Sequence, residues 1–94
     1  MTPLHISKVR FTQARPEQVR RGLVGHLSLV INEALKLDGI ALRRTLAGRP
    51  TLSFPSRRDR AGGDHPYVRP LSNDHRVQIE LQVFEALGIE RGTL

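Results

Sequence analysis

The strongest constraint on the fold is an alternating pattern that runs from Leu23 to Ile31. One side of this segment is apolar apart from a single glycine, and the other side mixes two valines with a histidine and a serine. The first side holds Leu23, Gly25, Leu27, Leu29 and Ile31, and the second holds Val24, His26, Ser28 and Val30. A period of two is typical of an extended strand, whereas a helix repeats about every 3.6 residues. The pattern therefore predicts a β-strand with one buried face.

A weaker alternation predicts another strand near the start of the chain, over residues 4–11. One side carries His5, Ser7, Val9 and Phe11, and the other carries Leu4, Ile6, Lys8 and Arg10. Residues 12–22 are rich in Arg and contain a proline and a glycine, which predicts a polar loop between the two strands.

Residues 32–37 allow two interpretations. They are good helix formers and lead into Asp38-Gly39, which is a strong hairpin signal. The competing interpretation places a turn at Asn32-Glu33 and a strand over residues 34–45, with Gly39 as a β-bulge. Intrinsic propensity does not decide between them.

The middle of the chain predicts short extended pieces separated by turns. Residues 46–49 resemble a turn, and residues 50–54 a short strand that begins with a proline. The inward residues of that strand are Leu52 and Phe54. Residues 55–64 carry Pro, Ser, several Arg and a Gly pair, which predicts a loop, and residues 65–70 are extended at a sheet edge.

The last predicted element is a helix. Ser72 is a suitable N-cap, Asp74 lies where the helix dipole favours an acid, and Gly88 is placed to end the helix. Its apolar stripe is formed by Val77, Leu81 and Phe84, with Val83 and Leu87 beside them. Strands followed by one helix predict an α+β fold: an antiparallel meander of four to five strands with the C-terminal helix on or beside the sheet.

Composition sets the scale of this fold. Leu, Val, Ile and Phe make up 28 of the 94 residues, above the roughly 20% below which highly charged chains stay disordered. A chain of this length forms one domain, over residues 1–94, with a small core. It contains no Cys, which excludes disulfides and thiolate metal sites.

The charge indicates a class of partner. Fifteen basic and nine acidic residues give a net charge of +6, and most of the basic residues are Arg. Arg enrichment is also what a GC-rich genome produces, so the Arg bias alone decides nothing. The positive sign favours a phosphate-rich partner, because a planar guanidinium binds phosphate through paired hydrogen bonds.

Two segments resemble the SpoVG (septation protein, or stage V sporulation protein G) family. In that family a turn and a short apolar strand lead into Pro-Ser-Lys/Arg-Arg, and a His-Pro segment then leads to a Ser-capped helix. The corresponding residues here are Gly48-Arg49-Pro50-Thr51-Leu52-Ser53-Phe54-Pro55-Ser56-Arg57-Arg58 and His65-Pro66-Tyr67-Val68-Arg69-Pro70-Leu71-Ser72. The similarity covers residues 23–87 and favours the strand interpretation of residues 34–45.

The resemblance implies a small homodimeric regulator that binds DNA and RNA and modulates gene expression in processes such as septation and sporulation. It implies that the basic pair after Pro-Ser, Arg57 and Arg58, contacts nucleic acid, with Arg60 as a near neighbour.

The basic segment also suits this role chemically. An Arg-rich loop presents several guanidinium groups to one run of phosphates, so affinity comes with weak sequence preference. Tyr67, beside it, is a candidate for stacking on a base. The predicted nucleic-acid-binding residues are Arg57, Arg58, Arg60, Arg49, Arg69 and Tyr67. The alternatives are a solvated loop whose arginines only provide solubility, and a tyrosine that packs on the sheet.

Other chemistries find little support in the residues. The four His show no metal-ligand spacing, and neither a phosphate-cradling Gly-rich motif nor a nucleophile motif is present, so no metal, cofactor or enzymatic activity is expected. Without a signal-like start or an apolar run of ~20 residues, the expected location is the cytoplasm, with no membrane or small-molecule partner.

Unpaired sheet edges in so small a protein predict self-association, with a homodimer or a higher oligomer formed through those edges. Two rival functions remain at this point: a protein-interaction module without nucleic-acid binding, and an enzyme or substrate-binding subunit with a cleft at the dimer interface.

Overall fold

The computed structural model describes residues 3–89 of the predicted domain. The described residues form six strands and two helices, which follow one another without long gaps. In chain order they are β1 (Ile6–Gln13), α1 (Pro16–Val19), β2 (Leu23–Ile31), β3 (Leu35–Arg44), β4 (Pro50–Ser53), β5 (Ser56–Arg58), β6 (Asp64–Pro66) and α2 (Asn73–Leu87).

The first four strands form one antiparallel sheet in the order β1-β2-β3-β4, and β5 and β6 form a separate two-stranded hairpin. Helix α2 packs its buried side chains against the apolar face of the larger sheet. This architecture confirms the predicted α+β fold with a meander and a C-terminal helix.

Strand β2 is the centre of the core, as its alternation predicts. Leu23, Leu27 and Leu29 are buried, and they lie on the same face as Gly25. An alanine at Gly25 would clash, because its Cβ would overlap the Thr12 backbone carbonyl oxygen and lie 2.5 Å from the Phe11 ring on the neighbouring strand. Glycine is therefore the residue that lets this ring lie across the strand.

The ambiguous segment after β2 is a turn and a strand. Asn32 and Glu33 both have positive φ, at 51° and 55°, and the Ala34 N–H donates to the Ile31 carbonyl at 2.9 Å. Two positive φ angles in a row match the right-handed twist of the strands that a hairpin joins. The β2–β3 register shifts opposite Gly39, where φ is 74°, so the strand interpretation and its bulge are both confirmed.

The strict alternation predicted for the first strand is wrong after Ser7. Lys8 has a φ of 50°, and the pairing with β2 shifts between Ser7 and Arg10. This bulge inserts an extra residue, so Ile6 and Val9 both contact the core although the strict period of two would separate them.

Two segments predicted as loops contain regular structure. Within residues 12–22, β1 continues through Gln13 and Pro16–Val19 form one helical turn. Within residues 55–64, Arg57 and Arg58 lie on β5 of the hairpin instead of in a loop, and Arg60 lies in the turn that follows. Backbone pairing outweighs the turn-forming composition of that segment, because the Gly pair closes a hairpin tip.

Helix α2 begins and ends where the sequence predicts. The Ser72 hydroxyl accepts a hydrogen bond from the His75 N–H, and Gly88 ends the helix at a φ of 71°. The predicted apolar stripe is partly wrong, because Leu81 is 47% exposed and Ile79 is buried with Val83. Residues 79 and 83 are one helical turn apart, and this pair, rather than residues 77 and 81, faces the sheet.

Side chains of α2 hydrogen-bond the free edge of β4. The buried Glu80 carboxylate accepts from the Leu52 N–H at 3.3 Å, and Arg76 donates to the Leu52 carbonyl at 2.6 Å and to the Thr51 hydroxyl at 3.1 Å. Arg76 and Glu80 also approach each other, with Nε and Oε2 3.6 Å apart. Together they satisfy the outward backbone groups of Leu52, as a fifth strand would.

The opposite face of α2 does the same for the beginning of β1. Gln82 accepts from the Ile6 N–H at 2.8 Å and donates to the Leu4 carbonyl at 2.6 Å, and Gln78 accepts from the Leu4 N–H at 2.9 Å. One helix therefore hydrogen-bonds backbone groups at both edges of the sheet. Among residues 3–89, no helix has both the length and the apolar character needed to span a bilayer.

Candidate nucleic-acid interface

The predicted basic segment is a hairpin that projects from the end of β4. We call this hairpin, residues 55–67, the arm. Its register extends beyond β5 and β6, because the Tyr67 N–H donates to the Pro55 carbonyl and the Asp59 N–H to the Gly63 carbonyl, both at 2.9 Å. All residues of β5 and β6 are exposed, so the arm packs chiefly on itself.

The register gives the arm two chemically different faces. Arg57 pairs with His65, and Arg58 pairs with Asp64. Directly paired residues lie on one face, and neighbours along a strand lie on opposite faces. The first face, which we call the open face, carries Arg57, Asp59, His65 and Tyr67. The second face carries Arg58 and Asp64.

Arg57 and Arg58 lie on different faces of the arm and differ in their side-chain partners. The Arg58 Nε lies 3.4 Å from an Asp64 carboxylate oxygen, in an exposed ion pair. Within residues 3–89, Arg57 has no ion pair or side-chain hydrogen bond. Arg60, at the exposed tip of the hairpin, has none there either. Arg57 and Arg60 therefore present guanidinium groups whose donors face solvent.

Asp59 connects the tip of the hairpin to the open face. Its carboxylate accepts from the Gly63 N–H at 2.8 Å and lies 2.6 Å from Nε2 of His65. The hydrogen bond to His65, followed by that from Gly63, lowers the pKa of Asp59 below its usual value. Asp59 thus stays ionised at neutral pH, and both of its oxygens are occupied within the arm.

Tyr67 lies at the base of the open face, and 67% of it is exposed. The alternative in which its ring packs on the sheet is therefore wrong. Its backbone is held by the hydrogen bond to Pro55, and the next residue, Val68, packs against the core. The ring is thus available to a ligand on an anchored stretch of chain.

Arg49 and Arg69 lie outside the arm, and each borders a depression beside the beginning of α2. Arg49 borders a depression between the β3–β4 turn and the helix, and Arg69 borders an adjoining one; both depressions are lined by Asn73 and Arg76. Arg76 donates hydrogen bonds to Thr51 and Leu52 and therefore stabilises the fold. The six predicted residues thus form two groups, of which the arm holds Arg57, Arg58, Arg60 and Tyr67.

His65 and Asp59 belong to the site although no motif in the sequence indicates them. The four His show no metal-ligand spacing in the sequence, and within residues 3–89 no three His, Asp or Glu side chains are grouped to hold a metal ion. The signal that places them together is the Gly pair between them, which closes a tight hairpin. Their proximity follows from the register once that hairpin is known.

Comparison with known proteins adds no assignment, because the chain matches no family model and no curated protein.

Proposed function

We propose that this protein is a small nucleic-acid-binding regulator of the SpoVG type, which acts in the cytoplasm on DNA, RNA or both. The observation that carries the proposal is the open face of the arm. It presents the unpaired guanidinium of Arg57 beside the exposed ring of Tyr67, on a hairpin that projects from the body.

Phosphate is a suitable ligand for such a guanidinium in a protein of this charge. Arg offers a planar fork of donors that fits two phosphate oxygens, and a net charge of +6 steers polyanions to the surface. Contacts to phosphate carry no sequence information by themselves. The proposed mode of binding therefore has weak sequence preference.

Self-association is the second part of the proposal. The hydrogen bonds from α2 to β1 stop at Ile6, so residues 9–13 leave an open strand edge in the described part of the chain. Pairing this edge with its copy across a two-fold axis removes the exposed edge. It also brings a second arm to the same nucleic acid, which raises the affinity through effective concentration.

The test is a titration of labelled DNA and RNA oligomers by fluorescence anisotropy at several salt concentrations. Three phosphate contacts predict a log–log slope of about −2 to −3. Replacing Arg57 and Arg58 together by Ala weakens binding to every sequence and leaves the melting temperature unchanged, because both side chains are exposed.

The matched control replaces Arg20 and Arg21 by Ala. It removes the same charge from the surface near α1 and is expected to retain most of the affinity. A slope near zero, or an equal loss of affinity in the control, contradicts the proposal.

One observation favours a second function, a protein-interaction module. Leu46 and Leu71 are almost fully exposed in the turn after β3 and just before α2, next to the depressions that Arg49 and Arg69 border. Exposed apolar side chains beside a cleft are typical of protein-binding surfaces. Under this function, replacing Leu46 and Leu71 by Ser abolishes partner binding, and binding of a nucleic acid is absent at low salt.

A further inference from the structure

Three side chains with planar groups of different chemistry lie on the open face of the arm. Arg57 and His65 are directly paired across the hairpin, and Tyr67 follows His65 by two residues. Residues two apart on a strand point to the same side. The guanidinium, the imidazole and the phenol ring are therefore next to each other on one surface.

The two rings are exposed, and hydrogen bonds hold the imidazole and the backbone of Tyr67. Tyr67 is 67% exposed and the His65 side chain 49% exposed. Asp59 holds the imidazole at 2.6 Å, and the Pro55 carbonyl holds the Tyr67 backbone at 2.9 Å. Little conformational entropy is lost when a ligand settles on groups that are already ordered.

Exposed rings beside a free guanidinium match the chemistry of unpaired nucleotides. Bases stack on aromatic side chains, and guanidinium groups bind the phosphates between them. In a duplex the bases are stacked on one another, so their faces are not accessible to a side chain at the surface. We infer that the arm binds single-stranded nucleic acid, with a base on Tyr67 and a phosphate on Arg57; this inference rests on the proposed function.

The size of the arm agrees with such a ligand. Each side of the arm has five paired positions, residues 55–59 and 63–67, which span ~16 Å and are enough for a few nucleotides. Each arm therefore makes a short contact, and His65 provides a second, smaller ring next to Tyr67 on the same face.

The experiment compares three probes of equal length by fluorescence anisotropy: an oligothymidylate, an abasic strand with the same phosphates, and a duplex. Stacking of one base predicts that the thymidylate strand binds roughly 5- to 150-fold more tightly than the abasic strand. Tyr67→Ala removes this advantage and leaves affinity for the abasic strand unchanged, whereas Tyr67→Phe keeps it, because the ring remains.

Leu81→Ala is the matched control, since Leu81 is an exposed hydrophobic residue on α2, outside the arm; it keeps the preference for thymidylate. Equal affinity for the strand, the abasic strand and the duplex, all weakened by Arg57→Ala, overturns the inference and leaves the proposed function standing. Absence of binding to every probe at low salt overturns both.

Discussion

Glu80 offers the sharpest test of how this fold is held together. It is 6% exposed, and its carboxylate accepts from the Leu52 N–H at 3.3 Å and faces the Arg76 Nε at 3.6 Å. Glu80→Ala leaves the Leu52 N–H without its partner, which costs about 1–3 kcal/mol. Arg76 keeps its bonds to the Leu52 carbonyl and Thr51, so the expected loss stays within about 1–3 kcal/mol.

Thermal unfolding followed by circular dichroism measures this loss. At about 4–8 °C per kcal/mol for a domain of this size, the melting temperature falls by roughly 4–24 °C. Glu85→Ala is the control, because Glu85 is exposed on the same helix. Glu80→Gln falls in between, since its amide oxygen still accepts the bond. If Glu80→Ala and Glu85→Ala melt together, α2 does not stabilise β4 in the way described.

Two further predictions concern β2 and the arm. Gly25→Ala destabilises the protein by about 1–3 kcal/mol in urea unfolding, because the new Cβ overlaps the Phe11 ring; an unchanged midpoint contradicts this packing. The hydrogen bond to His65 lowers the pKa of Asp59 from its usual 3.8, so its stabilisation is present above about pH 4 and is lost as the pH falls through the lowered value. Tyr67 is the chain's one Tyr, and the chain has no Trp, so its fluorescence is expected to change as Asp59 is protonated. The Asp59→Asn variant is expected to lack this change; identical pH profiles for the two proteins contradict the prediction.

Most of the main sheet could be predicted from local patterns. The alternation from Leu23 to Ile31 survives in the structure because both neighbours of β2 are strands and one of its faces is buried. The bulge at Lys8 could not be predicted, since a positive φ at lysine is imposed by pairing with β2 and not by its own propensity. The stripe of α2 was misjudged at Leu81, because more than one apolar face was available on that helix.

The covering of the sheet edges was not predictable from the sequence. Gln78, Gln82 and Glu80 read as ordinary polar helix residues, and only the tertiary arrangement shows that they bind strand backbone. Edge protection by side chains of a distant helix leaves no periodic signal, because the partners are far apart along the chain.

The residue types of the site could be predicted from the sequence, but the arrangement of their side chains could not. The basic residues after Pro55 indicate phosphate binding. An irregular loop does not sort its side chains onto two faces, so the sequence does not distinguish Arg57 from Arg58. The hairpin register separates them and adds His65 to Arg57 and Tyr67. The distinction depends on one backbone pairing that arginine-rich, glycine-rich composition conceals.

The most direct test of nucleic-acid binding by the open face is a comparison of Arg57→Ala with Arg58→Ala. Each variant removes one positive charge from adjacent positions, so any difference between them comes from the face on which the side chain lies. The predicted result is weaker binding for Arg57→Ala, with a salt slope reduced by about one for each engaged arm, and a nearly unchanged slope for Arg58→Ala. An equal or larger loss with Arg58→Ala would contradict the account.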